Sequence, residues 1–374
     1  MLILRKTYNE RLKTQPRHFQ PLIPELACTT STMPKKTPMI CLLSPAKTLD
    51  MSKTSNGTMS DPCFLERSAA LVAAMKAMTK PKLKSLLSVS DAIASLNYDR
   101  VANFDGQSSK QCGLAYDGPA YKGLAAPTWA RGEGAFAQEH LRILSGLYGV
   151  LRPFDCIRPY RLDMGTKLAT ADHADLYGYW GTSIAEQLVR DLKALGGAEG
   201  GERGDGGIIV NCASQEYFKA VQADRALPAN VRLVTCSFPG PSVYAKRARG
   251  MMCRYICLQR VCDVEKLRSF TGYDGEKYAF SAAQSSDDTL VFLRTGGAKD
   301  AARKGVVVDK EKVPSLQGAA KNPKFKGGAT TKKVPKGRKY RGRSGGEFRE
   351  QSERKKLVQK LPRGARRMAH ATGS

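Results

Sequence analysis

Lys47, Asp163 and Glu216 are the residues of this chain whose types could do chemistry together. Lys47 follows a short apolar run, 40–43, that ends at Ser44-Pro45, the pattern of a buried strand entering a loop. A lysine depressed by burial is a nucleophile, and a carboxylate can act as its base. With Asn211, these residues would make a nucleotide- or base-processing site. Nothing in their spacing brings them together, and carboxylates such as Asp163 and Glu216 are more often partners of buried arginines than catalysts. The three therefore stand as catalytic candidates only, and a binding protein is expected rather than an enzyme. Serine hydrolase, P-loop and Rossmann chemistry is excluded, because GxSxG, GxxxxGK[ST] and GxGxxG are missing from any strand-to-helix context. Cys253, Cys257 and Cys262 could share one side of a helix, but their spacing fits no zinc pattern and no His is near, so neither a metal nor a cofactor is expected.

The second chemistry is phosphate recognition. At 100° per residue, a helix over 243–261 gathers Tyr244, Ala248, Met251, Met252, Tyr255 and Leu258 in one arc. Lys246, Arg247, Arg249, Arg254 and Arg260 fall opposite, with no acid on their face, so their field projects outward. A solvated basic face is the bland alternative. A further cluster spans 144–165, LSGLYGVLRPFDCIRPYRLDMG, where a helix is expected to run into Ser145-Gly146-Leu147-Tyr148-Gly149. Helix-hairpin-helix modules use such a turn so that backbone N–H groups meet a phosphate. Here two residues separate the glycines instead of one and Pro153 interrupts the second helix, so an ordinary glycine-capped helix end remains open. Arg142, Arg152, Arg158 and Arg161 surround the cluster in either case.

The elements that must position these groups alternate between strand and helix. Runs at 40–43, 208–212, 231–238 and 290–294 read as strands. Asp61-Pro62 offers a cap and first-turn proline to a helix with Phe64, Leu65, Ala69, Val72 and Met75 as its stripe. Phe136, Ala137, His140, Leu141 and Leu144 make a second stripe, and Ile184, Leu188 and Leu192 a third, followed by a glycine-rich surface loop at 196–207. The predicted fold class is mixed α and β, in one domain at 39–295.

The formal charge of +27 is uneven: residues 296–374 hold 23 Lys or Arg against 6 Asp or Glu, while 39–295 hold 31 against 26 and 1–38 hold 7 against 2. Residues 296–374 lack hydrophobic periodicity and read as a mostly disordered basic tail, with a segment at 347–361 able to become helical on a partner. Residues 1–38 read as an organellar presequence or as an unstructured extension. No apolar run approaches the roughly 18 residues needed to cross a bilayer. Ten scattered cysteines fit a reducing compartment. A soluble intracellular protein is expected, cytoplasmic, with mitochondrial or nuclear placement left open by the basic extensions. Double-stranded DNA is the expected partner and RNA an alternative through the tail, with oligomeric state unassigned.

Five motifs make the chain recognisable: SPAKTLD (44–50), LSGLYGVLRP (144–153), PYRLDMG (159–165), NCASQEYFKAV (211–221) and YAKRARGMMCRY (244–255). In this order they resemble the YaaA family of bacterial peroxide-stress proteins over 39–295. The resemblance implies an α/β domain with a helix-hairpin-helix-like element and a positively charged cleft that binds DNA, in proteins tied to limiting oxidative damage and free iron. The matching positions are Ser44, Lys47, Arg142, Gly146, Tyr148, Gly149, Arg152, Tyr160, Arg161 and Asp163. The later motifs add Asn211, Ser214, Glu216, Tyr217, Lys219, Tyr244, Lys246, Arg249 and Arg254. Of these, Lys47, Arg142, Gly146, Tyr148, Gly149, Arg152, Arg161, Lys219, Lys246, Arg249 and Arg254 are expected at the DNA. Two segments depart from the family pattern, the compact 236–241 connection and 281–286, which lacks expected acids.

Overall fold

The computed structural model describes residues 37–52 and 58–296. Segments 1–36 and 297–374, with the expected presequence, tail and helix at 347–361, lie outside the described residues. The main sheet has seven strands: β1 (Met39–Leu43), β2 (Leu141–Ser145), β3 (Gly149–Leu151), β4 (Gly207–Asn211), β5 (Val231–Ser237), β6 (Lys277–Phe280) and β7 (Thr289–Gly296). Their order is β6-β7-β5-β4-β1-β2-β3. The five central strands run parallel, and β3 and β6 pair antiparallel at the two edges. Every residue of β1, β2 and β4 is buried. Such strands are covered on both faces, which is why they read as continuous apolar runs rather than alternating ones. All four strands expected from the sequence are present, each within about two residues of its expected ends.

The helices that matter below are α1 (Leu65–Lys76), α2 (Lys80–Leu87), α3 (Asp91–Ala102), α4 (Pro119–Leu124), α5 (Arg131–His140), α6 (Ser183–Ala194) and α7 (Ser242–Gln259). In α6 the expected stripe is the buried one, Ile184, Leu188 and Leu192 with Ala185. In α1 it is only partly so. The helix begins after the Asp61-Pro62 turn, Val72 and Met75 are buried with Ser68 and Leu71, and Leu65 is exposed.

The segment at 144–153 is not a helix-hairpin-helix turn but a β-hairpin. Helix α5 ends at His140, and Leu141–Ser145 leaves it as β2, with Cys41, Leu42 and Leu43 of β1 opposite Leu141, Arg142 and Ile143. Leu141 and Leu144 satisfy a helical stripe and a buried strand equally, and the ladder with β1 decides between them. The turn back into β3 is closed by Ser145 Oγ, which accepts from Tyr148 N at 3.0 Å. Gly149 adopts φ +70, and a Cβ there would lie 2.9 Å from the Trp180 ring. The glycines thus serve a tight internal turn, not an exposed backbone nest.

Helix α7 crosses α4 at close range. A Cβ on Gly250 would lie 1.7 Å from Ala120 O, and one on Gly123 would lie 2.2 Å from Arg247 O. This approach of two backbones brings the N-terminal half of α7 to the end of the sheet. Gly250→Ala should therefore destabilise the fold by about 2 kcal/mol in urea denaturation, the overlap outweighing alanine's better helix propensity. Gly200→Ala, in a loop with open space around the site, should leave the midpoint unchanged.

Candidate functional site

From β1 the chain crosses to β2 on one side of the sheet, and from β4 it crosses to β5 on the other. Neighbouring strands β1 and β4 therefore form a topological switch point, where the loops leaving their carboxyl ends diverge and open a crevice. A cavity of about 360 Å³ lies there, lined by Ser44 and Lys47 after β1, Cys212, Ser214, Glu216 and Tyr217 after β4, Asp117 before α4, and Lys246 and Arg249 of α7.

Both strand ends are built to stop. Pro45 cannot donate to the ladder, and Asn211 Oδ1 accepts from Ala213 N at 2.9 Å, turning the chain out of β4. The two turns are joined, since Ser214 N donates to Ser44 Oγ at 2.8 Å and the two hydroxyls lie 3.3 Å apart. Tyr121 OH of α4 donates to Ser44 O at 3.1 Å. Opposite them, the 158–165 segment is fixed by a buried hydroxyl chain. Tyr160 OH lies 2.6 Å from Tyr116 OH and 2.7 Å from Ser145 Oγ. That anchor brings Asp163 to the cavity mouth, where Oδ2 is 2.9 Å from Lys47 Nζ and Oδ1 accepts from Tyr217 OH at 3.3 Å. Burial, reinforced by the Asp163 charge, pushes the Tyr217 phenol far up, so it keeps its proton as donor. Glu216 Oε1 accepts from Gly165 N at 3.0 Å.

The three catalytic candidates thus converge: Lys47 and Glu216 line one cavity and Asp163 is ion-paired to Lys47. Lys47 is not a buried lone amine, however. Its side chain is 62% exposed and faces a carboxylate.

Of the residues expected at DNA, Lys47, Lys246 and Arg249 share this cavity. Lys219 lies nearby, 4.7 Å over the Tyr177 ring, whose hydroxyl donates to Glu216 O. The others lie elsewhere. Arg142 is buried, donating to Asp191 Oδ2 at 2.7 Å and to the carbonyls of Gln138 and Leu141. Arg152 holds the buried Asp155 at 3.0 Å, and both arginines border a separate cavity of about 100 Å³. Gly146, Tyr148 and Gly149 belong to the hairpin interior. Arg161 is half-buried, with its Nε lacking a protein partner among the described residues.

The face of α7 also differs from the expected one. Asp274 supplies the acid absent from the helix itself, lying 3.2 Å from Arg254 and 3.6 Å from Arg247, and Arg254 stacks 4.6 Å over Tyr273. Cys253, Ile256 and Cys257 are buried as well as Ala248, Met251 and Met252, so the helix is covered on more than one side. Sequence reasoning missed Asp117, Tyr121 and Asp274. The Asp117-Gly118-Pro119 turn was the only local signal for the first, and nothing local marked Asp274, 20 residues from Arg254.

Among the described residues no group of three or more His, Cys, Asp or Glu side chains is placed to hold a metal ion, and no helix is long and apolar enough to cross a membrane.

Residues 39–284 match the family profile described as peroxide stress protein YaaA. A UPF0246 protein of Rhizorhabdus wittichii is 42% identical over 266 residues, covering 69% of this chain and all of the relative. A UPF0246 protein of Ralstonia pickettii is 42% identical over 271 residues, 68% of this chain and 99% of its own. One from Polaromonas naphthalenivorans is 43% identical over 277 residues, 70% and 100%.

The phenols around the site make the fold sensitive to alkali. Burial pushes Tyr116, Tyr121 and Tyr217 far up and Tyr148 to about 12. Unfolded tyrosines ionise near 10, so the unfolded chain loses these protons first as pH rises. The stability they contribute is complete below pH about 10 and is lost as pH climbs through the folded values. The urea midpoint should fall more steeply once pH passes about 10, and Tyr148→Phe should make that part of the fall shallower.

Proposed function

Because this chain belongs to the YaaA family of peroxide stress proteins, we propose that it is a DNA-binding protein of the peroxide stress response that limits oxidative damage to DNA. One observation carries the reading. Lys246 and Arg249, at the cavity on the exposed end of α7, make no ion pair among the described residues, whereas Arg247 and Arg254 of the same helix share Asp274. Cations without an acid partner are free to neutralise phosphate and release its counterions. Lys246 and Arg249 neutralise phosphate whatever the bases, so the reading is of binding to the phosphodiester backbone without strong sequence preference. The resemblance implies a helix-hairpin-helix element, and although 144–153 is a β-hairpin, the packing of α2 against α3 across Ser88-Val89-Ser90, with Ser88 at φ 51, supports reading that pair as such an element. The basic segment at 296–374 adds a tether that raises affinity without selecting sequence, for DNA or RNA alike.

A second reading, a base- or nucleotide-processing enzyme, is favoured by the convergence of Lys47, Asp163 and Glu216 on one cavity. Its test is release of free base from nucleoside monophosphates, followed by chromatography. Turnover abolished by Asp163→Asn and Glu216→Gln would establish it, and absence of turnover in the unaltered protein would remove it.

For the DNA reading, Lys246→Gln with Arg249→Gln should lower affinity for unrelated duplexes alike, with the slope of log affinity against log salt reduced by about 0.9 per lost phosphate contact. The urea midpoint should move by less than about 1 kcal/mol, because neither cation has an ion-pair partner among the described residues to lose. Arg254→Gln should do the reverse, lowering stability through Asp274 and Tyr273 and leaving the salt slope alone. An unchanged slope in the double variant would overturn the assignment.

A further inference from the structure

Five cysteines from separate parts of the chain meet beneath the cavity floor. Cys41 lies on β1, Cys212 directly after β4, Cys236 on β5, and Cys253 and Cys257 one turn apart on α7, and each is buried and free. Side chains alternate along a strand, so Cys41 and Leu43, Val210 and Cys212, and Val234 and Cys236 face one side of the sheet, the side that α7 covers. The thiols form a connected chain. Cys212 is close enough to Cys236 and Cys253, and Cys41 to Cys253 and Cys257, for each to shift the other's ionisation. Of the five, Cys212 alone borders the cavity, with the charge of Arg249 nearby. Small buried cysteines often do no more than fill a core. A continuous run of thiols that begins at a cation-lined cavity can also accept two electrons' worth of oxidation internally.

We propose that Cys212 is a hydroperoxide-reactive thiol, oxidised by hydrogen peroxide that enters through the cavity and resolved by Cys236 to an internal disulfide. The Cys212 sulfur attacks one peroxide oxygen, the O–O bond breaks, and water leaves with the thiol proton, giving a sulfenic acid. The Cys236 sulfur then attacks the Cys212 sulfur, the S–S bond forms, the S–O bond breaks, and a second water carries away the hydroxyl and the Cys236 proton. Two thiols are oxidised by two electrons and one peroxide is reduced to two waters, once per chain.

The geometry allows the bond. Asn211 pairs with Thr235 in the β4–β5 ladder, and Cys212 and Cys236 are the next residues on each chain. Adjacent strands lie about 4.8 Å apart, inside the roughly 4.4–6.8 Å between Cα atoms that a disulfide spans. The environment favours attack from Cys212. Hydrogen bonds from Cys236 and Cys253, with the Arg249 charge, draw its thiol down to about 6 against the effect of burial. Cys236 is held well up by its bond to Cys212, so it stays protonated until called on as the second nucleophile. Cys63, although exposed, is pushed up to about 11 by desolvation and nearby carboxylates. Exposure and reactivity therefore separate. Cys212 has no exposed surface, so the cavity lining must shift to admit an oxidant, and a small one is favoured over a bulky one.

The test uses the full reduced chain, one equivalent of hydrogen peroxide, differential alkylation and peptide mapping, and it is independent of DNA binding. The expected product is a Cys212–Cys236 disulfide formed about tenfold or more faster than oxidation of Cys63, with cumene hydroperoxide about tenfold slower than hydrogen peroxide. In Cys236→Ala the sulfenic acid at Cys212 should persist in the folded protein and be trapped when the oxidised protein is unfolded in the presence of dimedone. The mapping of the unaltered protein needs no substitution and stands if that variant fails to fold. Oxidation of Cys63 ahead of Cys212, or a bridge that excludes Cys212, overturns the proposal, and a bridge from Cys212 to Cys253 overturns the choice of resolving thiol.

Discussion

The ladder that β1 makes on both sides at once is the constraint on which the rest of the molecule depends. Five apolar residues, all buried, pair in parallel with β2 through 41–43 and with β4 through 39–42. Parallel strands need long crossovers, and two crossovers leaving this position in opposite directions must part at the carboxyl end. What fills the gap follows from where the chain stops pairing. Pro45 and the Asn211 turn end both strands at the same level, so the loops carrying Lys47 and Glu216 start side by side although 168 positions separate the first residues after each strand, Ser44 and Cys212.

Strands and the site were legible to different degrees. The central strands could be read because burial on both faces leaves an unbroken apolar run in the sequence. Helix α6 was equally plain, isolated between polar segments with one apolar stripe. Residues 141–145 were misread because Leu141 and Leu144, following a helix, satisfy a helical stripe as well as a buried strand, and the deciding fact, the register with β1, is a contact across about a hundred residues. Lys47, Asp163 and Glu216 could be named as chemically able, but their meeting is a consequence of the sheet order. Arg142 and Arg152 are close in sequence to the hairpin glycines, yet Arg142 is buried against Asp191 and Arg152, partly exposed, is held by Asp155. An acid on a distant segment is invisible to helical-wheel reasoning, which is why Asp274 altered the picture of α7.

Charge in this protein is of two kinds. Much of the arginine in the folded part is structural: Arg142, Arg152, Arg247, Arg254 and Arg294 each hold a carboxylate. Those cations orient segments and are neutralised locally, so they contribute little to the field at a distance. Other cations, Lys246 and Arg249 at the cavity among them, make no ion pair among the described residues, and the largest surplus lies at 296–374, where 23 basic residues face 6 acidic ones. Locally neutralised charge and the main excess of charge thus fall in different stretches of the chain.

The two edges of the sheet set how the molecule can associate. β3 is three residues long and is followed one residue later by Pro153, which has no N–H to offer a further strand. β6 is four residues long, and its pairing with β7 is irregular between Lys277 and Tyr278. Short, interrupted borders of this kind are poor templates for an added strand. Both edges of the main sheet consequently offer little backbone for another copy of this chain to pair with, which works against edge-to-edge stacking into fibres.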